Sequence, residues 1–250
     1  MIRGLYTSAA GMLSGLLRHE TIVHNLSNLR TVGYKADRAT LTDFPSLLLT
    51  RINDNQPGQE VGRAGTGVSL GSLTTDFSEG PLKLTDHPFD FAVAGDGFFQ
   101  VQTPDGVLYT RDGRFYRDAA DGRLMTADGY PVLGANGPVV LPEGQLTSTP
   151  NGQLYVNDTY VDQLSLARFD DPTNLLKASQ TLFANRGPEP QLLAGTEAQV
   201  YQGYFEESNV DASQVVTEMM AVMRAYQASQ RLVQFQDQIN GQAVSELGRV

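Results

Sequence analysis

The sequence predicts an α+β protein in which an all-β central domain is flanked by N- and C-terminal amphipathic α-helices. Three observations carry that reading. Apolar residues recur at alternating spacings of 4 and 3 at both chain ends, the pattern of a helical seam. The middle changes to short alternating runs separated by Asp-Gly and Asn-Gly pairs, which tolerate the positive φ of tight hairpin turns. The 250 residues are 40% hydrophobic, with 25 Gly and 12 Pro near average usage, so the chain can bury a good-sized core and is neither disordered nor collagen-like.

The first helix is expected from about Arg3 to Asn28, roughly 39 Å long. Its seam runs Leu5, Ala9, Met12, Leu16, His19, Val23 and Leu26; Leu13, Leu17, Ile22 and Leu29 widen it. Gly33 in Thr31-Val32-Gly33-Tyr34 marks the stop, closing an N-terminal region of residues 1–35. Residues 36–80 are polar, Gly-rich and weakly periodic after Phe44-Pro45-Ser46-Leu47-Leu48-Leu49, which reads as an extended connector.

Residues 81–205 read as the β domain. Strands are expected at Phe89–Ala94, Gly97–Gln102, Val107–Arg111, Arg114–Arg117, Arg123–Ala127 and Tyr130–Leu133, and later at Gln153–Val156, Tyr160–Phe169 and Gln199–Phe205. Asp105-Gly106, Asp112-Gly113, Asp121-Gly122, Asp128-Gly129, Asn136-Gly137 and Asn151-Gly152 supply the turns, and residues 172–182 form a short helical excursion. Residues 206–250 hold the second helix. It is capped within Ser208-Asn209-Val210-Asp211 and runs about 55 Å to Leu247. Val215, Met219, Val222, Tyr226 and Val233 lie on its seam, which Met223, Leu232, Phe235 and Ile239 broaden.

Charge and composition exclude several functions. The net charge of −10 argues against nucleic acid or anionic lipid as a partner, because neutralising phosphates needs clustered Lys and Arg. The acidity is local: residues 1–35 carry +3, residues 36–209 carry −12 and residues 210–250 carry −1. Zero cysteines exclude a disulfide framework, a thiolate metal site and a cysteine nucleophile. No run reaches the roughly 18 apolar residues of a membrane span. The opening stretch is broken by Thr7, Ser8, Gly11, Ser14 and Gly15 without a small-residue cleavage site, so it is read as mature sequence.

Near-motifs for catalysis do not hold together. His19-Glu20-Thr21-Ile22-Val23-His24 places its second histidine one residue late for a zinc helix, setting the imidazoles ~140° apart. Gly67-Val68-Ser69-Leu70-Gly71 matches a nucleophile elbow but is followed by an extended stretch, and His87 comes too soon after it for the usual triad. Gly95-Asp96-Gly97 reads more simply as a turn than as an active-site aspartate. No catalytic, cofactor-binding or metal-binding residue is therefore assigned. The runner-up class is a secreted β-rich hydrolase, using Ser69, His87 and Asp96, or a β-rich binding module, which the lack of Trp disfavours. The helical seams can pack within one chain or between copies in a polymer, and sustained seams at both ends favour the polymer.

Leu5-Tyr6-Thr7-Ser8-Ala9-Ala10-Gly11-Met12-Leu13, Asn25-Leu26-Ser27-Asn28 and Thr31-Val32-Gly33-Tyr34-Lys35 resemble the opening of bacterial flagellar rod and hook proteins. Gly95-Asp96-Gly97-Phe98-Phe99-Gln100-Val101 with Tyr109-Thr110-Arg111-Asp112-Gly113-Arg114-Phe115 is similar to that family's β domain. Gln202-Gly203-Tyr204, Ser208-Asn209-Val210-Asp211 and Arg224-Ala225-Tyr226-Gln227-Ala228-Ser229 resemble its C-terminal signature. The ordered set covers most of the chain, and its length fits rod better than hook members. Phe44-Pro45-Ser46-Leu47-Leu48-Leu49 and Pro131-Val132-Leu133-Gly134 look more like proximal-rod or Gram-positive-type members.

The resemblance implies a structural subunit of the basal-body rod, or alternatively a hook-type axial subunit, located in the flagellar basal body. Its implied partners are other copies, neighbouring rod and hook subunits, and the flagellar type III export apparatus. On assembly the terminal helices are expected to pair in a coiled-coil-like inner layer around an export channel. Leu5, Met12, Leu16, Val23, Leu26, Val215, Met219, Val222, Tyr226, Val233 and Ile239 are the expected interface. Asn25, Asn28, Gly33, Tyr34, Ser208, Asn209 and Val210 are the family-motif positions.

Overall fold

The computed structural model describes residues 2–53, 56–193 and 199–247. Two helices are present close to their expected bounds: α1, Ile2–Ser27, and α2, Ala212–Leu247. The chain divides into two units. One, the helical unit, comprises the described parts of residues 1–26, 37–74 and 211–250; the other, the β unit, comprises residues 27–36 and 75–210.

Within the helical unit, α1 and α2 run antiparallel: Gly4 lies against Gln236, Gly11 against Ser229 and Gly15 against Tyr226. Asp211 caps α2 by accepting hydrogen bonds from the Ser213 and Gln214 amides at 2.8 and 3.3 Å. Residues 37–74 are more than a connector. Asp37–Asp43 pairs with Val68–Thr75, and Leu47–Asn53 pairs antiparallel with Gln56–Ala64. The weak periodicity of this stretch has a simple cause: Asp37–Asp43 is exposed over most of its length, so its hydrogen bonds rather than a buried face define it. Thr40 illustrates this, its hydroxyl and the Ser72 backbone bonding in both directions at 3.0 Å.

The β unit is built on a six-stranded antiparallel sheet. Its order is Leu175–Lys177, Leu182–Asn185, Gly106–Thr110, Gly97–Thr103, Leu166–Arg168 and Gln191–Leu193. A three-stranded meander, Leu146–Ser148, Gln153–Val156 and Thr159–Gln163, accompanies it. Successive residues of a strand point to opposite faces, and the central strand Gly97–Thr103 has partners on both. Phe99 and Val101 join a large core with Phe91, Phe115, Leu124 and Leu154. Phe98 faces the other way into a smaller aromatic core with Tyr109, Phe169 and Phe183, and Phe77 packs edge-on against Phe98 and Phe183. Near-continuous burial along this strand follows.

Several predicted elements are corrected. The run 172–182 holds one 3-10 turn, Pro172–Asn174, and strands from Leu175 and Leu182; Asp171 caps the start of the turn by accepting from the Thr173 amide, and the extended backbone at Leu175 ends it. The expected strand Tyr160–Phe169 is split at Leu164-Ser165, and Gln199–Phe205 is split at Gly203, whose φ of 76° turns the chain between two pairings. Gly113 is not at a positive-φ turn. A β-carbon there would collide with the Phe91 carbonyl oxygen, so the glycine is required for close approach of two backbones. A turn without glycine, Asn157-Asp158, carries positive φ at both residues and closes the hairpin after Gln153–Val156.

Phe99 has no exposed surface and meets the Phe115 ring edge-on at 5.2 Å between centroids. Phe99→Ala is expected to cost about 3–5 kcal/mol, read as a lowered urea midpoint by tyrosine fluorescence. A loss below about 1 kcal/mol would contradict the core assignment.

Candidate assembly site

The helical faces come first. On α2 the row Val215, Met219, Val222, Tyr226 and Val233 is buried or half-buried, whereas Ile239 is exposed. Leu16 and His19 of the expected seam line the space between α1 and α2, and beside them on α1 a second row is turned to α2. It is made by Gly4, Gly11 and Gly15, with Ser14 buried alongside and its hydroxyl bonded to the Ala10 carbonyl at 2.8 Å. Leu5, Leu16 and Val23 keep 38%, 46% and 43% of their surface exposed, and Met12 and Leu26 are half-buried. Hydrophobic spacing locates the leucine row but not the glycine row beside it, because a glycine has no side chain to score, although it lets two helix backbones approach.

The single chain therefore displays apolar surface on both helices. On α1 it includes Leu5, Leu13, Leu16 and Val23; on α2, Val216, Met220 and Met223 on one side and Leu232, Phe235 and Ile239 roughly 100–160° around the helix. An apolar cavity of about 260 Å³ lies between the helices, lined by Gly15, Leu16, His19, Val222, Met223 and Tyr226.

The motif residues gather elsewhere. At the end of α1, Asn25 clamps the backbone of Asp37: its Oδ1 accepts from the Asp37 amide at 2.9 Å and its Nδ2 donates to the Asp37 carbonyl at 2.7 Å. In the β unit, Asn28 Oδ1 accepts from the Thr31 hydroxyl at 3.1 Å, shaping the turn that follows. Gly33 takes φ of 66°, and its amide donates to the Glu206 carbonyl at 2.8 Å; a β-carbon there would collide with the Asp112 backbone. Tyr34 is fully buried, with the Lys177 ammonium 4.1 Å from its ring centre.

Asn209 answers from the other chain end. Its Oδ1 accepts from the Ala36 amide at 2.8 Å, its Nδ2 donates to the Asp76 carbonyl at 2.8 Å, and its own amide donates to the Tyr34 carbonyl at 3.4 Å. Ser208 accepts from the Val210 amide, and Val210 is buried. Residues 33–36 and 206–209 thus run side by side in the same direction.

Beneath them sits a buried ion cluster. Lys35 Nζ lies 2.7 Å from Glu206 Oε1 and donates to the Ser78 carbonyl at 2.7 Å. The same Oε1 accepts from the Gly80 amide at 2.7 Å. Glu206 Oε2 faces Arg111 Nη1 at 3.4 Å, while Arg111 Nη2 donates to the Gly95 carbonyl at 2.7 Å. The guanidinium carbon stands 4.7 Å over the Phe98 ring. Burial lowers the Lys35 pKa from the ordinary lysine value, with Glu206 pulling it back up. Lys35 and Arg111 stand in motif strings that assign them no role, and Glu206 stands just outside one. The sequence signal is the single charge of Thr31-Val32-Gly33-Tyr34-Lys35; Arg111, beside Asp112 and Arg114, carries none of its own.

The hydrolase residues are not arranged for catalysis. Ser69 lies inside the strand Val68–Thr75 instead of at a strand-to-helix elbow. His87 pairs with nearby Asp90 at 3.6 Å, and Asp96 sits at the turn between Phe91–Ala94 and Gly97–Thr103. His24 Nδ1 faces Asp37 at 4.0 Å. No described helix is long and apolar enough to cross a membrane.

Exposed apolar residues on both helices, and a β unit that holds the segment following α1 beside the segment preceding α2, define an assembly subunit. Two family models match the chain: the flagellar hook protein FlgE/F/G D1 domain over residues 92–156, and the flagellar basal body rod FlgEFG protein C-terminal over residues 201–246. The flagellar hook-basal body complex protein FlhO of Bacillus subtilis is 30% identical, with 100% of both chains covered. The rod protein FlgF of Mesorhizobium japonicum is 31% identical over 98% of this chain and 97% of its own, and the rod protein FlgG of Bacillus subtilis 30% over 96% and 97%. The chain belongs to the flagellar rod and hook protein family. It is a structural protein of the flagellar basal body and not an enzyme.

Gly33→Ala should cost about 1–3 kcal/mol from backbone strain alone, more with the collision at Asp112. The urea midpoint of the β unit reads it; a neutral effect would contradict the left-handed turn at this position.

Proposed function

We propose that this chain is a rod subunit that polymerises through α1 and α2 into the axial shaft that transmits torque and encloses an export channel. The observation that carries the reading is the apolar surface that a single chain leaves exposed on both helices, together with an inward seam on α2 already occupied by α1. Large exposed apolar patches in soluble chains mark contact surfaces. The neighbours are helices of the same kind, from other copies or other rod and hook subunits, packing as in coiled coils. The expected residues divide accordingly. Val215, Met219, Val222, Tyr226 and Val233 serve the helix pair within the subunit, while Leu5, Leu16, Val23 and Ile239 serve contacts between subunits, with Met12 and Leu26 at the border. The acidity lies in residues 36–209, and the two chain ends that supply the shared helical layer together carry only +2, which limits like-charge repulsion there. Delivery is through the flagellar type III export apparatus, and a chain without cysteine crosses an oxidising space without crosslinking.

Val23→Asp changes an exposed side chain, so the monomer should lose less than about 0.5 kcal/mol while assembly and motility are lost. Electron microscopy of purified protein with a neighbouring rod subunit reads the first, and swimming of the complemented strain reads the second. Normal tubular assembly by the variant would refute the interface. Limited proteolysis of the dilute wild type should leave a resistant fragment close to residues 75–210 and remove the helical ends, because an isolated helix pair has few stabilising contacts. Protection of the intact chain would count against assembly-dependent helices.

A further inference from the structure

The ion cluster joins three segments far apart in sequence: Lys35 from the chain that leaves α1, Arg111 from the end of a central strand, and Glu206 from the chain that leads to α2. We propose that Lys35, Glu206 and Arg111 form a latch that makes the docking of residues 27–36 and of residues 204–210 on the β unit mutually dependent.

The charges supply the coupling. Lys35 and Arg111 are buried to 0% and 2% exposure, and Glu206 is the carboxylate in contact with both. If residues 204–210 lift away, two cations lose that carboxylate in a site closed to water, where an uncompensated charge is costly. If residues 27–36 lift away, Glu206 loses the ammonium at 2.7 Å, the shorter of its two ionic contacts. Hydrogen bonds repeat the dependence. The Gly33 amide requires the Glu206 carbonyl, the Asn209 amide requires the Tyr34 carbonyl, and the Ala36 amide requires the Asn209 side chain. Coupling of this kind is reciprocal: whatever one segment contributes to the docking of the other, it receives in equal measure.

The apolar cores meet the latch at Arg111, which rests on Phe98 and bonds the Val93 carbonyl, and not through the two docking segments. Neither contains a residue from 27–36 or 204–210, so the sheet can remain folded while the latch is open. The consequence is a two-state element in which the roots of both helices are set side by side together or released together. Only the use of this element in a polymer rests on the assembly reading; the test is made on the free chain, so either idea can fail alone.

Amide hydrogen exchange on the full-length chain tests it, comparing wild type with Lys35→Met and Glu206→Gln. Lys35→Met should speed exchange at the Glu207 and Asn209 amides at least tenfold, although the change lies in the other segment. Glu206→Gln should do the same at Gly33 and Ala36. Amides of Gly97–Thr103 should keep their wild-type protection in both. The double variant, which removes one charge of each sign, should exchange more slowly than the product of the two single effects predicts. Should Glu206→Gln fail to fold, Asn209→Ala lies outside the charges and should still release the Gly33 amide, whose own acceptor is Glu206. Acceleration confined to the mutated segment, or equal acceleration of latch and sheet amides, overturns the proposal.

Discussion

The docking of the segments that follow α1 and precede α2 turns on a lysine ammonium placed where there is no water. An ion moved into a protein interior loses hydration worth several kcal/mol even after relaxation, so Lys35 is tolerable only with replacement partners in place. The Glu206 carboxylate and the Ser78 carbonyl supply that environment, and the Gly80 amide in turn donates to the carboxylate. Much of the local structure then follows. The chain reaches the pocket through a left-handed turn at Gly33, in space too narrow for a β-carbon. Glu206 must arrive from the far end of the sequence, which places the strand Tyr204–Glu206 beside Leu82–Leu84. Arg111 needs carbonyls from the turn after Phe91–Ala94, and Phe98 provides the surface on which it rests. Charge, turn and strand pairing are parts of one solution.

In the helical unit a different constraint operates. On one row of α1, Gly4, Gly11 and Gly15 lie against Gln236, Ser229 and Tyr226 of α2. On the neighbouring row Leu5, Leu16 and Val23 remain accessible. One helix thereby carries a face for its own partner and a second for another chain. Glycine lowers the intrinsic helix propensity of α1, a cost that packing against α2 offsets.

The outline was readable because its signals are local. Helical spacing placed α1 and α2 to within a residue or two, and the Asp-Gly and Asn-Gly pairs marked most hairpin turns. Reading failed where a local pattern had a non-local cause. Gly113 looks like a turn but serves the approach of the Phe91 backbone, and Gly203 interrupts what reads as one strand because each half pairs with a different partner. Residues 37–74 read as an extended connector, and the strand Asp37–Asp43 within them, exposed over most of its length, leaves no alternation in the sequence.

By itself the sequence determined the α+β class, the helical ends, the β middle and the flagellar family resemblance, since each rests on spacing or on short strings read along the chain. It also supplied every residue of the motif strings that flank the latch. Only the tertiary structure decided that Lys35, Arg111 and Glu206 meet, and that Gly4, Gly11 and Gly15 as well as seam residues of α1 face α2. The reason is physical: spacing reports which side chains share a face of one element, whereas desolvation and close approach depend on what the fold brings against that face.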